Sequence, residues 1–242
     1  MRYWFSVVNN GLEVYMVKVV VFDLGGTLME YVGMPLNWSD YYYKGFEKVN
    51  NSLKLEIEEC DLQKSVEILQ SYNPRICGRD YEISPEELFG KSISHWNRVV
   101  NITEVIDVFF EGLCLRAKIF KYSIDLIKEC KRQGYKVACL TDLPNGMPDK
   151  LFKDSIMELT DLFDLYVSSH SCGYRKPNKN GILHIAKVFN VDVSEVLLVG
   201  DEEKDYLTSQ NAKCKFEYIS DYLAENNIGT LSNDESKNTV NK

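Results

Sequence analysis

The stretch Lys18-Val19-Val20-Val21-Phe22-Asp23-Leu24-Gly25-Gly26-Thr27-Leu28 decides the reading of this chain. Its apolar run, Val19 to Phe22, is short, β-branched and flanked by polar residues, the pattern of a strand buried on both faces of a parallel sheet. The run stops at a carboxylate, Asp23, and two glycines follow after Leu24. Open α/β sheets bind ligands in the crevice beyond the C-terminal ends of their strands. Gly25 and Gly26 allow the backbone to turn sharply and come close to a ligand. Asp23 is therefore the candidate reactive group, the plainer alternative being a turn former or helix cap.

The same pattern returns further along. Val137 to Leu140 is a second buried run and ends in Thr141-Asp142. Leu165 to Ser168 is a short strand, Val196 to Val199 a strong one that ends in Gly200-Asp201, and Lys215 to Ile219 the last. Helical periodicity fills the intervals over 122–133 (closed by Gly134), 147–159 and 181–189. Strands alternating with helices predict an α/β fold with a doubly wound parallel sheet. All strand C-termini of such a sheet share one edge. That edge gathers Asp23, Thr141 and Asp201, and the loop after the strand over 165–168 adds Arg175 and Lys176. Two carboxylates suit a hard divalent cation, with Mg²⁺ the natural candidate, while Thr141 and Lys176 suit phosphoryl oxygens. Asp205, four residues after Asp201, is placed to orient the metal site from one helical turn away.

Residues 29–117 carry a different pattern, helical and without a buried strand. Helices are expected over 37–53, 61–70, 84–99 and 102–116, the third opened by Ser84-Pro85-Glu86-Glu87 as a capping box. The chain thus divides into a core of residues 16–28 and 118–228 and an all-helical insert of residues 29–117. Met16 stands directly before the first strand, so residues 1–15 read as an N-terminal extension. Residues 229–242 read as a polar tail.

Composition narrows the function. The 242 residues carry a net charge of −8, which argues against nucleic acid or an anionic membrane as partner and leaves a small anionic substrate open. No stretch is apolar enough to span a bilayer. Seven cysteines without Cys-x-x-Cys pairs suggest reduced packing residues and a cytoplasmic protein. His95, His170 and His184 lack ligand spacing. The aromatic run Trp38, Tyr41, Tyr42, Tyr43 and Phe46 suits pocket lining, insert core or a dimer contact. The chain is compatible with a monomer or a homodimer.

The order of these motifs resembles the haloacid dehalogenase-like hydrolase superfamily over residues 17 to about 219. The resemblance rests on the strand with DLGGT (Asp23 to Thr27), the strand ending in Thr141, Lys176-Pro177, and GDEEKD (Gly200 to Asp205). It implies a Rossmann-like core with a helical cap inserted after the first motif. It further implies Asp23 as a nucleophile forming an aspartyl-phosphate. Thr141 and Lys176, with Asp142 beside them, would bind the phosphoryl group of a small phosphorylated substrate. Asp23, the Gly25 carbonyl and Asp201 would bind Mg²⁺, supported by Asp205. One departure stands out. Phosphatases of this superfamily place a second aspartate, the general acid and base, where this chain has Gly25. General acid–base catalysis contributes about 10²–10⁴-fold, so Glu30 or His95 would have to replace it, or the leaving group would have to depart unaided. The resemblance leaves two alternatives to a phosphatase. One is a phosphonate hydrolase like phosphonoacetaldehyde hydrolase, with Lys91 as its Schiff-base lysine beside His95; the other is a phospho-ligand-binding regulatory protein. The GDEEKD motif disfavours a dehalogenase.

Overall fold

The computed structural model describes residues 16–226, so the expected extension over 1–15 and the tail over 229–242 lie outside the described residues. From the N-terminal side the chain runs through β1 (Val19–Phe22), β2 (Met29–Tyr31), α1 (Tyr42–Leu53), α2 (Glu59–Ser71), α3 (Pro74–Cys77), α4 (Pro85–Ile93), α5 (Ile102–Leu113) and β3 (Ala117–Ile119). It continues through α6 (Ser123–Arg132), β4 (Lys136–Thr141), α7 (Asp149–Ser155), α8 (Met157–Thr160), β5 (Leu165–Ser168) and α9 (Ser169–Cys172). The last elements are α10 (Asn180–Phe189), β6 (Val196–Gly200), α11 (Glu203–Ala212), β7 (Lys215–Tyr218) and α12 (Ile219–Glu225).

Five strands form one sheet in the order β5-β4-β1-β6-β7. Every pairing is parallel, with β1 in the centre and Phe22 in register with Cys139 on one side and Val199 on the other. The pleat divides β1 between two cores. Val20 and Phe22 face a cluster with Leu126 and Ile127 of α6 and Tyr222 of α12, while Val19 and Val21 face Ile182 and Ile185 of α10 and Ala212 of α11. The chain moves outward from β1 to β4 and β5, then crosses to β6 and β7, so the strand order reverses at β1. This is the α/β Rossmann-like architecture expected, and the reversal opens a crevice at the C-terminal end of β1.

The insert packs its own apolar faces together. Phe46, Phe89 and Phe109 meet edge to face or tilted, with Phe46–Phe109 and Phe89–Phe109 centroids both 4.9 Å apart. Three sequence expectations need correction. First, β2 and β3 pair antiparallel at the root of the insert, where helical or loop structure was expected. Met29 is buried in the core and Tyr31, Ala117 and Ile119 pack against it, while Glu30 and Lys118 pair across the exposed side at 3.0 Å. Second, the helix expected to reach residue 99 ends at Ile93. Asn97 takes φ 50°, the left-handed region, and Val99 is fully exposed. Ser84 caps α4 through the Glu87 N–H at 3.1 Å, but the Glu87 carboxylate engages Lys91 instead of closing the box. Third, the helix over 147–159 starts only at Asp149 and divides into α7 and α8, with Ile156 at φ −137° between them. No helix of the described residues is long and apolar enough to cross a membrane.

Candidate active site

Each strand of the crevice delivers one group to it. Asp23 follows β1 directly, its N–H donating to Val199 O at 2.9 Å. Thr141 closes β4 and Asp201 follows β6. The turn after Asp23 depends on Gly26. Its φ is +81°, and a Cβ there would lie 2.1 Å from Asp201 Oδ2, so only glycine lets Asp201 pass close to this turn. Thr27 then donates its hydroxyl to Asp201 Oδ1 at 3.0 Å, and Tyr122 donates to the Thr27 carbonyl at 2.7 Å.

Lys176 Nζ sits between Asp23 Oδ1 and Asp205 Oδ1, 2.5 Å from each, and its backbone N–H donates to Asp142 Oδ1 at 3.0 Å. Burial acts to lower the Lys176 pKa, but Asp205, Asp23 and Asp142 outweigh it and hold the ammonium well above its ordinary value. Burial pushes the Asp23 carboxyl up to about 7; Lys176 works against that shift and Asp205 with it. Burial likewise raises Asp201, only partly offset by the Thr27 hydroxyl. Asp142 goes the other way. Burial would raise it, but Lys204, Arg175 and Lys176 hold it at about 2. Asp23, Asp201 and Asp205 each offer one carboxylate oxygen, and these atoms all lie within 4.8 Å of one another. The single Lys176 ammonium offsets only part of the repulsion among three buried or half-buried carboxylates, and an all-oxygen donor set of this kind fits a hard divalent ion such as Mg²⁺.

A cleft of about 690 Å³ opens above this cluster. Asp23, Gly25, Thr141, Asp142 and Lys176 line it, as does Glu30; Asp205 lies beneath, fully buried. The other candidates for the missing acid are elsewhere. His95 is absent from the lining and shares its Nε2 with the Asp61 carbonyl at 3.0 Å inside the insert. Lys91 is an exposed residue paired with Glu87 and does not line the cleft, which removes the basis for the Schiff-base assignment. His170 and His184 are exposed. The aromatic run divides: Trp38 and Tyr42 line the cleft, whereas Phe46 is insert core. Gly25 itself is exposed, with nothing within 4 Å of where a Cβ would be.

Sequence reasoning did not find the contribution of the segment between α3 and α4. Arg79 and Arg175 both bind the Glu82 carboxylate, which also accepts from Ser169 Oγ. Arg79 reaches on to Asn145 Oδ1 at 3.0 Å. Backbone bonds reinforce this junction, from Arg175 N–H to Asp80 O and from Glu82 N–H to Gly173 O, both 2.9 Å. The loop bearing Lys176 is thereby held by the insert. Arg75 of α3 also bridges to Glu202, at 2.7 Å. An isolated Glu or Arg in a polar loop carries no periodic signal, so nothing in the sequence pointed to these partners.

Residues 17–213 match the family described as haloacid dehalogenase-like hydrolase, and the chain belongs to that family. Over 204 residues it is 28% identical to a Clostridium perfringens protein named as a pyrophosphatase, PpaX, covering 83% of this chain and 82% of that one. It is 30% identical over 104 residues to a phosphoglycolate phosphatase of Thiobacillus denitrificans, and there spans 43% of this chain and less than half, 45%, of that enzyme. The fold also matches a haloacid dehalogenase family enzyme of Bacteroides thetaiotaomicron, solved with magnesium and inorganic phosphate. That match has a TM-score of 0.53 at 17% identity, over 84% of this chain and 93% of that one.

Proposed function

We propose that this chain is a Mg²⁺-dependent phosphatase of small phosphorylated compounds, acting through an aspartyl-phosphate on Asp23 in the cytoplasm. The observation that carries the reading is the convergence of Asp23, Asp201, Asp205 and Lys176 below a cleft that Thr141 also lines. The names of the relatives support it.

Asp23 is the nucleophile because it is the one carboxylate of the cluster that also lines the cleft. Its Oδ attacks phosphorus as the ester oxygen leaves on the far side. Thr141 and Lys176 bind the phosphoryl oxygens, and Lys176 offsets the charge that develops on them. Water then attacks the phosphorus of the aspartyl-phosphate, and Asp23 leaves as carboxylate. Asp23, Asp201 and Asp205, with the Gly25 carbonyl, would hold Mg²⁺, which supplies positive charge against the phosphoryl oxygens. Thr27 and Lys176 orient two of those carboxylates. Gly25 offers no side chain to protonate the leaving oxygen, so chemistry is fastest when that oxygen leaves as an anion.

The same glycine favours a second reading, a protein that binds a phospho-ligand without turnover. One assay separates the two: hydrolysis of 4-nitrophenyl phosphate with and without Mg²⁺ by wild type and Asp23→Asn. Turnover that vanishes on chelation and falls at least about 10³-fold in Asp23→Asn is the expected result. A folded wild type without turnover leaves the binding protein.

A further inference from the structure

We propose that the substrate of this site is a phosphate monoester of an aromatic alcohol, whose ring packs against an aromatic wall of the cleft and carries no second negative charge. The proposal rests on the phosphatase reading above and deepens it. Three independent observations converge on it.

The first is the wall. Tyr31, Trp38 and Phe152 line the cleft together and form a built box. The Tyr31 ring meets Trp38 edge to face at 5.3 Å and Phe152 at 6.3 Å, and its hydroxyl is tied to Ser155 Oγ at 3.0 Å. Met34 and Leu36 continue the apolar lining, with Leu36 leaving 69% of its surface in water. Tyr31, Trp38 and Met34 are half-buried, with Phe152 buried behind them, and apolar surface left open beside a polar site marks a place that a ligand covers. A ring stacked there gains offset or edge-on aromatic contacts beyond its area burial.

The second is the charge inventory of the lining. Five basic side chains face the cleft, Arg75, Arg79, Arg175, Lys176 and Lys204. Each already has a carboxylate partner: Glu202 for Arg75, Glu82 for Arg79 and Arg175, Asp142 for Lys204 at 3.4 Å, and Asp23 with Asp205 for Lys176. Lys176 serves the phosphoryl group. A second anionic group on the substrate, whether carboxylate or phosphate, would have to compete with one of these carboxylates for its cation. The two pairs made by Glu82 are buried, and breaking a buried pair is costly; Arg75 and Lys204 are more open but both lie against Glu202, whose charge opposes a second anion there. The alcohol portion of the substrate that suits this inventory carries no charged substituent.

The third is Gly25. Nothing lies within 4 Å of where a Cβ of Gly25 would be, and Glu30, an acidic residue of the lining, is engaged by Lys118. A phenol loses its proton at about pH 10, whereas water, which alkanols resemble, does so near about 15.7. An aryl oxygen therefore leaves without protonation where an alkyl oxygen does not. In the first step the Asp23 carboxylate forms an O–P bond and the P–O(aryl) bond breaks, its electron pair leaving with the phenoxide. In the second, water adds to phosphorus, the P–O(Asp23) bond breaks, and the products are hydrogen phosphate and one proton. That proton ends on the phenoxide in solution, so the net reaction is ester plus water to phenol plus hydrogen phosphate.

The test measures kcat/KM in saturating Mg²⁺ for 1-naphthyl, phenyl and cyclohexyl phosphate, phosphoglycolate and pyrophosphate. The ring size of phenyl and cyclohexyl is matched, so their ratio reads the leaving oxygen. The naphthyl-to-phenyl ratio reads the wall. Phenyl is expected to exceed cyclohexyl phosphate by about 10²-fold or more, the scale of an absent acid. Gly25→Asp is expected to narrow that gap by raising the cyclohexyl rate. Leu36→Ser, a surface change that leaves folding alone, and Trp38→Leu are both expected to lower the naphthyl preference several-fold. Turnover of cyclohexyl phosphate or phosphoglycolate equal to that of the aryl esters overturns the inference and leaves the phosphatase reading standing. A naphthyl preference unchanged in both variants overturns the wall. Folded protein that hydrolyses none of the five overturns both.

Discussion

Glu82 gathers Arg79, Arg175 and Ser169, three buried polar residues outside the carboxylate cluster. Its two oxygens take Arg79, Arg175, the Ser169 hydroxyl and the Ile83 N–H. Its side chain is only 7% exposed. Burial alone would raise its pKa, but Arg175, Ser169 and Arg79 outweigh burial and hold it below its ordinary value of 4.5. Asp142 is held at about 2, below its ordinary 3.8, by the same kind of balance. A depressed folded-state pKa contributes stability above the unfolded value and loses it as pH falls through the folded one. Urea midpoints are therefore expected to fall steadily from about pH 4.5 toward about pH 2. Glu82→Gln should cost about 3–5 kcal/mol at neutral pH, the scale for breaking a buried pair, and should flatten that acid limb. An acid limb of unchanged slope in the variant would place the titration on other carboxylates. This residue also ties the insert to the Lys176 loop, so part of the loss should appear as lowered kcat.

Among the elements, the crossing of α1 and α5 is set by the smallest side chains in it. A Cβ on Gly45 would lie 2.4 Å from the Phe109 ring, and one on Gly112 would lie 2.7 Å from Lys48 Cβ. Phe109 is fully buried between Phe46 and Phe89 and has no direction in which to give. Gly45→Ala is thus expected to destabilise by about 1–3 kcal/mol through overpacking. That outcome opposes the usual gain of Ala over Gly inside a helix, about 1 kcal/mol. Gly90 of α4 has open space where its Cβ would be, so Gly90→Ala should raise the melting temperature while Gly45→Ala lowers it. A pair of thermal melts decides this, and equal shifts of one sign would show that helix propensity outweighs the packing of the crossing.

For the molecule as a whole, the carboxylate cluster carries more negative charge than the one ammonium seated in it offsets. Asp23 and Asp201 are both raised by burial, and Lys176 alone neutralises part of three charges. A cation that binds only the folded state stabilises it by mass action, about 2.7 kcal/mol at one hundred times its Kd. Mg²⁺ should therefore raise the melting temperature of wild type by several degrees and leave Asp201→Asn almost unmoved. A shift of equal size in Asp201→Asn would move the cation away from this cluster.

The sheet and its reactive edge were legible in the chain because the signals are local. Runs such as Val19 to Phe22 and Val196 to Val199 are apolar on both faces, and a parallel sheet is the structure that buries both. Their ends place Asp23, Thr141 and Asp201 on one edge by topology alone, and Lys176 follows from its loop. The ribbon of β2 and β3 was not legible, since three residues of mixed polarity pair only once the insert has brought residues 29 and 117 together. The end of α4 at Ile93, with Asn97 in the left-handed region beyond it, was not legible either, since the apolar periodicity continues through Val99 and Val100. The partners of Glu82, the removal of His95 and Lys91 from the cleft, and the aromatic wall were likewise decided only by tertiary structure. Burial and pairing join residues far apart in the chain, 93 positions for Glu82 and Arg175 and 174 for Thr27 and Asp201. Sequence patterns report what one element needs from its surroundings, and they are silent on which distant residue supplies it.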